Sequence, residues 1–202
     1  MTPIKMIERL IAFNTVSRDS NLELIEFVEE YLHSHGVAST RVPNDTGDKS
    51  NLYATVGPQE AGGVVLSGHT DVVPVDGQSW DTDPFCVTAK EGRLYGRGTC
   101  DMKAFIAIGL ALVPEMRQLN KPIHFALSYD EEVGCLGAPR MVRQMAERLP
   151  PPAAVIIGEP TSMGAVNGNK GVVALRTTVR GYETHSSQTN RGVSAVMTAA
   201  RL

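Results

Sequence analysis

What constrains this chain most is where its apolar runs stop. The run GVVLSG (63–68) is followed at once by His69-Thr70-Asp71. Ile123–Tyr129 runs straight into Asp130-Glu131-Glu132, and Ala153–Ile157 delivers Gly158-Glu159-Pro160. A glycine-rich segment, GRLYGRG (92–98), leads through Thr99-Cys100 to Asp101. Short apolar runs bounded by turn signals read as buried strands. In open α/β sheets the sites lie just beyond the carboxyl ends of such strands.

Between these runs the pattern switches to a helical period. Thr2 can cap a first helix with Pro3 in its opening turn and a stripe of Ile4, Ile7, Leu10 and Ile11. A second helix from about Asn21 places Leu22, Ile25, Val28 and Leu32 on one face and stops near Gly36. Val37–Val42 and Leu52–Val56 read as strands, and Val72–Phe85 has loop composition. Ile106, Leu110 and Val113 mark a helix after Asp101, and Leu136–Leu149 a further one with Met141, Val142 and Met145 inward. Gly171–Arg180 alternates as a strand, and Val193–Leu202 begins a helix. Strands alternating with helices predict an α/β sandwich with a largely parallel sheet.

Composition narrows the function. Lys plus Arg is 19 against 22 Asp plus Glu, a net charge of −3, which gives no footprint for nucleic acid or an anionic membrane surface. No apolar run approaches the ~18 residues of a membrane span, and the N-terminus lacks a signal peptide's core and cleavage site. The three cysteines Cys86, Cys100 and Cys135 form neither a disulfide framework nor a CxxC pair, so a reduced, cytoplasmic setting is expected.

One imidazole and several carboxylates converging on one sheet edge suit hard-to-borderline divalent metals. With no GxSxG elbow and no GxxxxGK loop, metal-assisted hydrolysis fits better than covalent catalysis or phosphoryl transfer. Each group also has a plain structural reading. His69 can be structural, Asp101 a helix cap, Glu131-Glu132 a solvated patch and Glu159 part of a turn. Adjacent glutamates directly after a buried strand are nonetheless costly without a nearby cation.

The segments SGHTDVVP (67–74), GRGTCDMK (96–103), DEEVG (130–134) and GEPT (158–161) together resemble the dinuclear-zinc deacylase and exopeptidase superfamily. Its members include acetylornithine deacetylase, succinyl-diaminopimelate desuccinylase, aminoacylase and glutamate carboxypeptidase. WDTDPF (80–85), LYGRGTCDMK (94–103) and HSSQTNRGVSAV (185–196) are most similar to the acetylornithine deacetylase branch. The resemblance implies a three-layer sandwich of zinc-exopeptidase type over 1–170, with 171–202 opening an α+β lid or dimerisation domain. It implies that His69, Asp101 and Glu159 hold one zinc, with Asp101 bridging to a second held by Glu132. Asp71 would hold the His69 ring, and Glu131 would be the general base. His185 would reach a partner subunit's site in a homodimer. A cis peptide is expected at Asp101–Met102. Two Zn2+ per full-length subunit are implied, with Co2+ a possible substitute.

The implied reaction is hydrolysis of a small N-acyl amino acid, first N-acetyl-L-ornithine to ornithine and acetate, a step of arginine biosynthesis in family members. Another N-acyl amino acid, such as succinyl-diaminopimelate or acetyl-citrulline, is the near alternative. A non-catalytic binding protein of the same fold is the distant one. Family members continue for roughly as many residues again and supply a final histidine to the second metal. His33, His35 and His124 do not match that ligand, so this chain alone is expected to be inactive.

Overall fold

The computed structural model describes residues 1–171 and 173–202. The chain forms two compact units, Met1–Met163 and Gly164–Leu202. The first is built on a five-stranded sheet. Its strands are β1 (Ser39–Pro43), β2 (Ser50–Val56), β3 (Val64–His69), β6 (Ile123–Ser128) and β7 (Ala154–Ile157). β4 (Thr88–Lys90) and β5 (Arg93–Tyr95) make a separate hairpin that the sequence pattern did not reveal. The sheet order is β1-β2-β6-β3-β7. β2 runs antiparallel to both β1 and β6, while β6, β3 and β7 are parallel, so only β2 opposes the common direction.

Helices cover both faces, as an alternating pattern demands. On one side lie α1 (Pro3–Ile11), α2 (Leu22–Ser34) and α3 (Lys103–Ala111), whose buried Leu10, Ile25, Val28 and Leu110 meet Leu52, Phe125 and Leu127 of the sheet. On the other lies α4 (Ala138–Arg148), whose Met141 packs on Tyr53, Val65 and Ala126. The result is the three-layer sandwich expected from the sequence. α1 begins as predicted, with Thr2 Oγ1 accepting from Lys5 N. Its inner stripe is Met6, Ile7, Leu10 and Ile11, and Ile4 faces out. In α2 the buried position is Leu24 rather than Leu22. Gly36 takes a φ of +76°, the left-handed conformation that ends a helix.

α3 crosses the sheet at unusually close range because two contacts have no side chain. A Cβ on Gly68 would lie 2.9 Å from both Ile106 and Met102, and one on Gly109 would lie 2.9 Å from the Phe125 ring. Met102, immediately after Asp101, is thereby packed beside the end of β3. The peptide Asp101–Met102 is cis, as anticipated.

The α4 layer is thinner. Val142, expected inside, is 58% exposed, and all of β7 is exposed at the sheet edge. A cleft of about 520 Å³ lies between α4 and the sheet, lined by Val65, His124, Met145 and Leu149 among others. Along 171–180, residues 173–180 do not form the anticipated strand, and Val172 lies outside the described residues. Val173 and Leu175 are exposed, so their alternation has no surface to pack on. The second unit holds a 3-10 turn at Ser186–Arg191 and a short α5 (Ala195–Ala199), less than the helix foreseen over 193–202. Tyr182 and Val193 are bridged within it.

His124 is buried in β6 facing the α4 cleft. Its Nδ1 lies 2.8 Å from Thr55 Oγ1, and its Nε2 has no hydrogen-bond partner among the described residues. Burial pushes its pKa below the ordinary 6.5. Because the unfolded chain takes up this proton first, its contribution to stability is present above pH 6.5 and lost as pH falls towards the depressed value. Denaturant melts of wild type and His124→Gln across that range should show wild type losing more stability on acidification. Parallel pH curves would refute the assignment.

Candidate metal centre

Parallel alignment decides which residues meet. The carboxyl ends of β6, β3 and β7 lie side by side at one edge, with β3 in the middle. β3 ends in His69, β6 leads into Glu131 and Glu132, and β7 leads into Glu159. Asp101 arrives from the loop that enters α3.

His69 is buried and forms the hub. Its Nε2 lies 3.0 Å from Asp101 Oδ1, 3.8 Å from Glu159 Oε1 and 4.0 Å from Glu131 Oε2. Among the described residues, two sets of ligand-type atoms fall within 4.8 Å of one another: His69, Glu131 and Glu159, and His69, Asp101 and Glu132. The expected residues are therefore gathered around one imidazole. The grouping differs from that implied by sequence resemblance: Glu131 takes the place of Asp101 beside His69 and Glu159, and Glu132 stands with both His69 and Asp101. His185 lies in the second unit, exposed, its Nδ1 2.8 Å from Ser187 Oγ. His33 and His35 sit at the exposed end of α2.

The His69 ring is held from behind. Nδ1 donates to the Asp71 backbone carbonyl at 2.8 Å, while the nearer Asp71 carboxylate oxygen is 3.7 Å away. With one proton fixed between Nδ1 and the carbonyl, Nε2 is directed at the carboxylates, and it is the nitrogen whose lone pair a cation would take in place of the proton shared with Asp101. Burial alone would lower the His69 pKa. The Asp71 carbonyl and the Asp71 and Asp101 carboxylates together outweigh burial and raise it.

Electrostatics supply the test of fit. Glu132 is raised above the usual carboxylate range, first by burial and then by the Asp101 charge, with His69 opposing. Glu159 is raised by burial and by Asp101 and Glu131, again against His69. Carboxylates that repel each other in a half-buried cluster are relieved by a divalent cation, and a His/Asp/Glu donor set is the chemistry zinc and its neighbours accept. The residues fit such an ion.

Sequence patterns gave no warning of the scaffold behind these groups. Thr70 Oγ1 donates to Ser128 O at 2.9 Å and accepts from Asn21 Nδ2 at 2.9 Å, tying the ends of β3 and β6 to the start of α2. Lys103, although helical, is fully buried. Its ammonium donates to Phe13 O at 2.8 Å, and burial pulls its pKa down to about 7, with the Asp71 charge opposing. A lysine in an amphipathic helix ordinarily faces water, so no periodicity signals this one.

Residues 65–201 match the model of the peptidase family M20/M25/M40. The chain belongs to that family. Among curated relatives, this M20 chain is 38% identical over 202 residues to an acetylornithine deacetylase of Pasteurella multocida (strain Pm70), covering 96% of this chain and 52% of the relative. It is 37% identical over 203 residues to an acetylornithine deacetylase of Shigella sonnei (strain Ss046), with the same coverage of 96% and 52%. The chain thus spans about half the length of the curated relatives it matches. Among solved structures, it is similar to an M20 family metallo-carboxypeptidase of Sulfolobus solfataricus, with a TM-score of 0.67 and 21% identity over 77% of this chain and 37% of that one. Human carnosine dipeptidase 1 gives a TM-score of 0.66 and 22% identity over 77% and 38%. These structural likenesses establish the fold.

Calorimetric titration with Zn2+ or Co2+ should detect binding to the M20 chain. His69→Ala should weaken it by at least about a hundredfold, since losing a ligand exceeds the effect of losing an outer partner. His33→Ala, on the exposed end of α2, should leave it unchanged. Equal affinities for wild type and His69→Ala would remove His69 from the centre.

Proposed function

We propose that the protein is a metal-dependent amidohydrolase that removes the acyl group from a small N-acyl amino acid, with N-acetyl-L-ornithine the first substrate to test. The observation that carries this reading is the collar of Asp101, Glu131, Glu132 and Glu159 around His69 Nε2. The choice of substrate is supported by relatives named acetylornithine deacetylase at 37–38% identity across 96% of the chain.

In this reading His69, Asp101 and Glu159 would hold one Zn2+, and Asp101 and Glu132 would help to hold a second, with Co2+ as a functional substitute. When bound, such ions supply Lewis acidity to the amide carbonyl and lower the pKa of water. Glu131 takes a proton from the attacking water, whose oxygen adds to the acyl carbon. The C–N bond then breaks, and Glu131 returns the proton to the departing amine nitrogen, leaving a free amino group and a carboxylic acid that loses its remaining proton to solvent. Amides hydrolyse slowly because the amine leaves badly, so this proton return matters as much as the attack. Asp71 orients the centre from behind. His185 serves the oxyanion in the site of a second subunit, which makes the complete protein a homodimer. The residues from about 171 onward open the domain that provides this contact. Cytoplasmic arginine biosynthesis is the setting consistent with these roles.

On the full-length enzyme, kcat/KM for N-acetyl-L-ornithine should exceed that for succinyl-diaminopimelate and acetyl-citrulline. Glu131→Gln should lower kcat by about 10²–10⁴ while leaving cation affinity far less affected than His69→Ala does. If Glu131→Gln instead abolishes binding, Glu131 is a ligand alongside His69 and Glu159. If none of the acylated amino acids is turned over by the metal-loaded enzyme, the hydrolase reading fails.

A further inference from the structure

The Asp71 carboxylate stays 3.7 Å from the His69 ring, beyond hydrogen-bond reach, and its oxygens accept elsewhere. One oxygen, Oδ1, accepts from Glu131 N at 3.1 Å. The other, Oδ2, accepts from Glu132 N at 3.3 Å and from Ser17 Oγ at 2.7 Å. The carboxylate is 3% exposed, so these three donors replace the water it has lost. We infer that the Asp71 carboxylate, held by Ser17, is the positioning group that fixes the backbone of Glu131-Glu132 and thereby aims those two side chains in different directions. The inference deepens the hydrolase reading and rests on it for its bearing on chemistry.

The local chain needs such an anchor. After β6 the backbone turns sharply, with Asp130 at a φ of +57°. Gly134 N and Cys135 N close the turn onto Glu131 O at 2.9 and 3.0 Å. Glu131 N and Glu132 N stand at its opening, where a turn, like a helix start, leaves its N–H groups without chain acceptors. Asp71 accepts both. Ser17 is itself anchored: its N–H donates to Val72 O at 3.1 Å, and its carbonyl accepts from Lys49 Nζ, which also pairs with Asp130 at 2.6 Å. Lys49, Ser17 and Asp71 thus grip the DEE turn from both sides of Glu131. Two adjacent glutamates serve two purposes only if this peptide is fixed, because a rotation of it would swap which carboxylate points where.

Asp71→Asn separates this role from that of a clamp on the ring. The His69 contact runs to the Asp71 backbone carbonyl, which the substitution retains. An amide group presents one acceptor and one donor, so whichever way it lies, either Glu131 N or Glu132 N faces an N–H instead of an oxygen. The experiment is amide hydrogen exchange and NMR on wild type, Asp71→Asn and the milder Ser17→Ala, each without metal and with Zn2+. The expected result is exchange at Glu131 or Glu132, whichever loses its acceptor, about tenfold or more faster in Asp71→Asn, a smaller increase in Ser17→Ala, and a retained His69 Nδ1–H resonance. Zn2+ affinity should fall about 10–100-fold in Asp71→Asn. Unchanged exchange at both glutamates, or loss of the His69 resonance with the turn intact, overturns the inference. Faster exchange with undiminished Zn2+ affinity upholds the positioning role and removes Glu132 from the metal-holding set. Should Asp71→Asn not fold, Ser17→Ala carries the same two exchange outcomes.

Discussion

Negative charge concentrated around one buried imidazole is the interaction on which this molecule turns. Asp101, Glu131 and Glu159 approach the same His69 nitrogen, and Glu132 joins the cluster through Asp101. Water alone solvates such a cluster poorly once it is half-buried, which is why Glu132 and Glu159 hold their protons above the usual range. Much of the surrounding structure can be understood as holding these like charges together against their repulsion.

That holding is done largely by hydroxyl and amide donors and by two lysines behind the strand ends. Thr70 ties β3 to β6 and to Asn21, so the ends of the two strands cannot separate. Lys103 sets a buried amine, its pKa pulled down to about 7, near Asp71, and Lys49 pairs with Asp130 at 2.6 Å. The close approach of α3, made possible by Gly68 and Gly109, brings Asp101 to the end of β3. The packing of the first core and the geometry of the site are therefore one problem, and the same residues solve both.

The two sides of the sheet contrast. The α1-α2-α3 side is a continuous buried cluster, whereas the α4 side has a cleft, an exposed Val142 and an exposed edge strand. The polar anchors of the site engage α2, the entrance to α3 and the segment between α1 and α2, so the centre leans on the well-packed side.

The sequence alone determined the order of the five sheet strands and of α1 to α4, the sandwich class and the residues that could ligate a metal. Those follow from short-range facts: period, turn residues and polar groups set directly after apolar runs, as with His69 after β3 and Glu159 after β7. The paired strands β4 and β5 escaped because three residues are too few to show a period. The 173–180 alternation misled because alternation becomes a strand only where a neighbour pairs with it. Only the tertiary structure decided that Glu131 stands with Glu159 as well as beside Glu132. It alone decided that Lys103 is buried, and that Asp71 turns its carbonyl to the ring and its carboxylate to the DEE turn. Such choices depend on which distant segments meet, Ser17 and Asp71 being 54 residues apart, and no local pattern records a contact made across that separation.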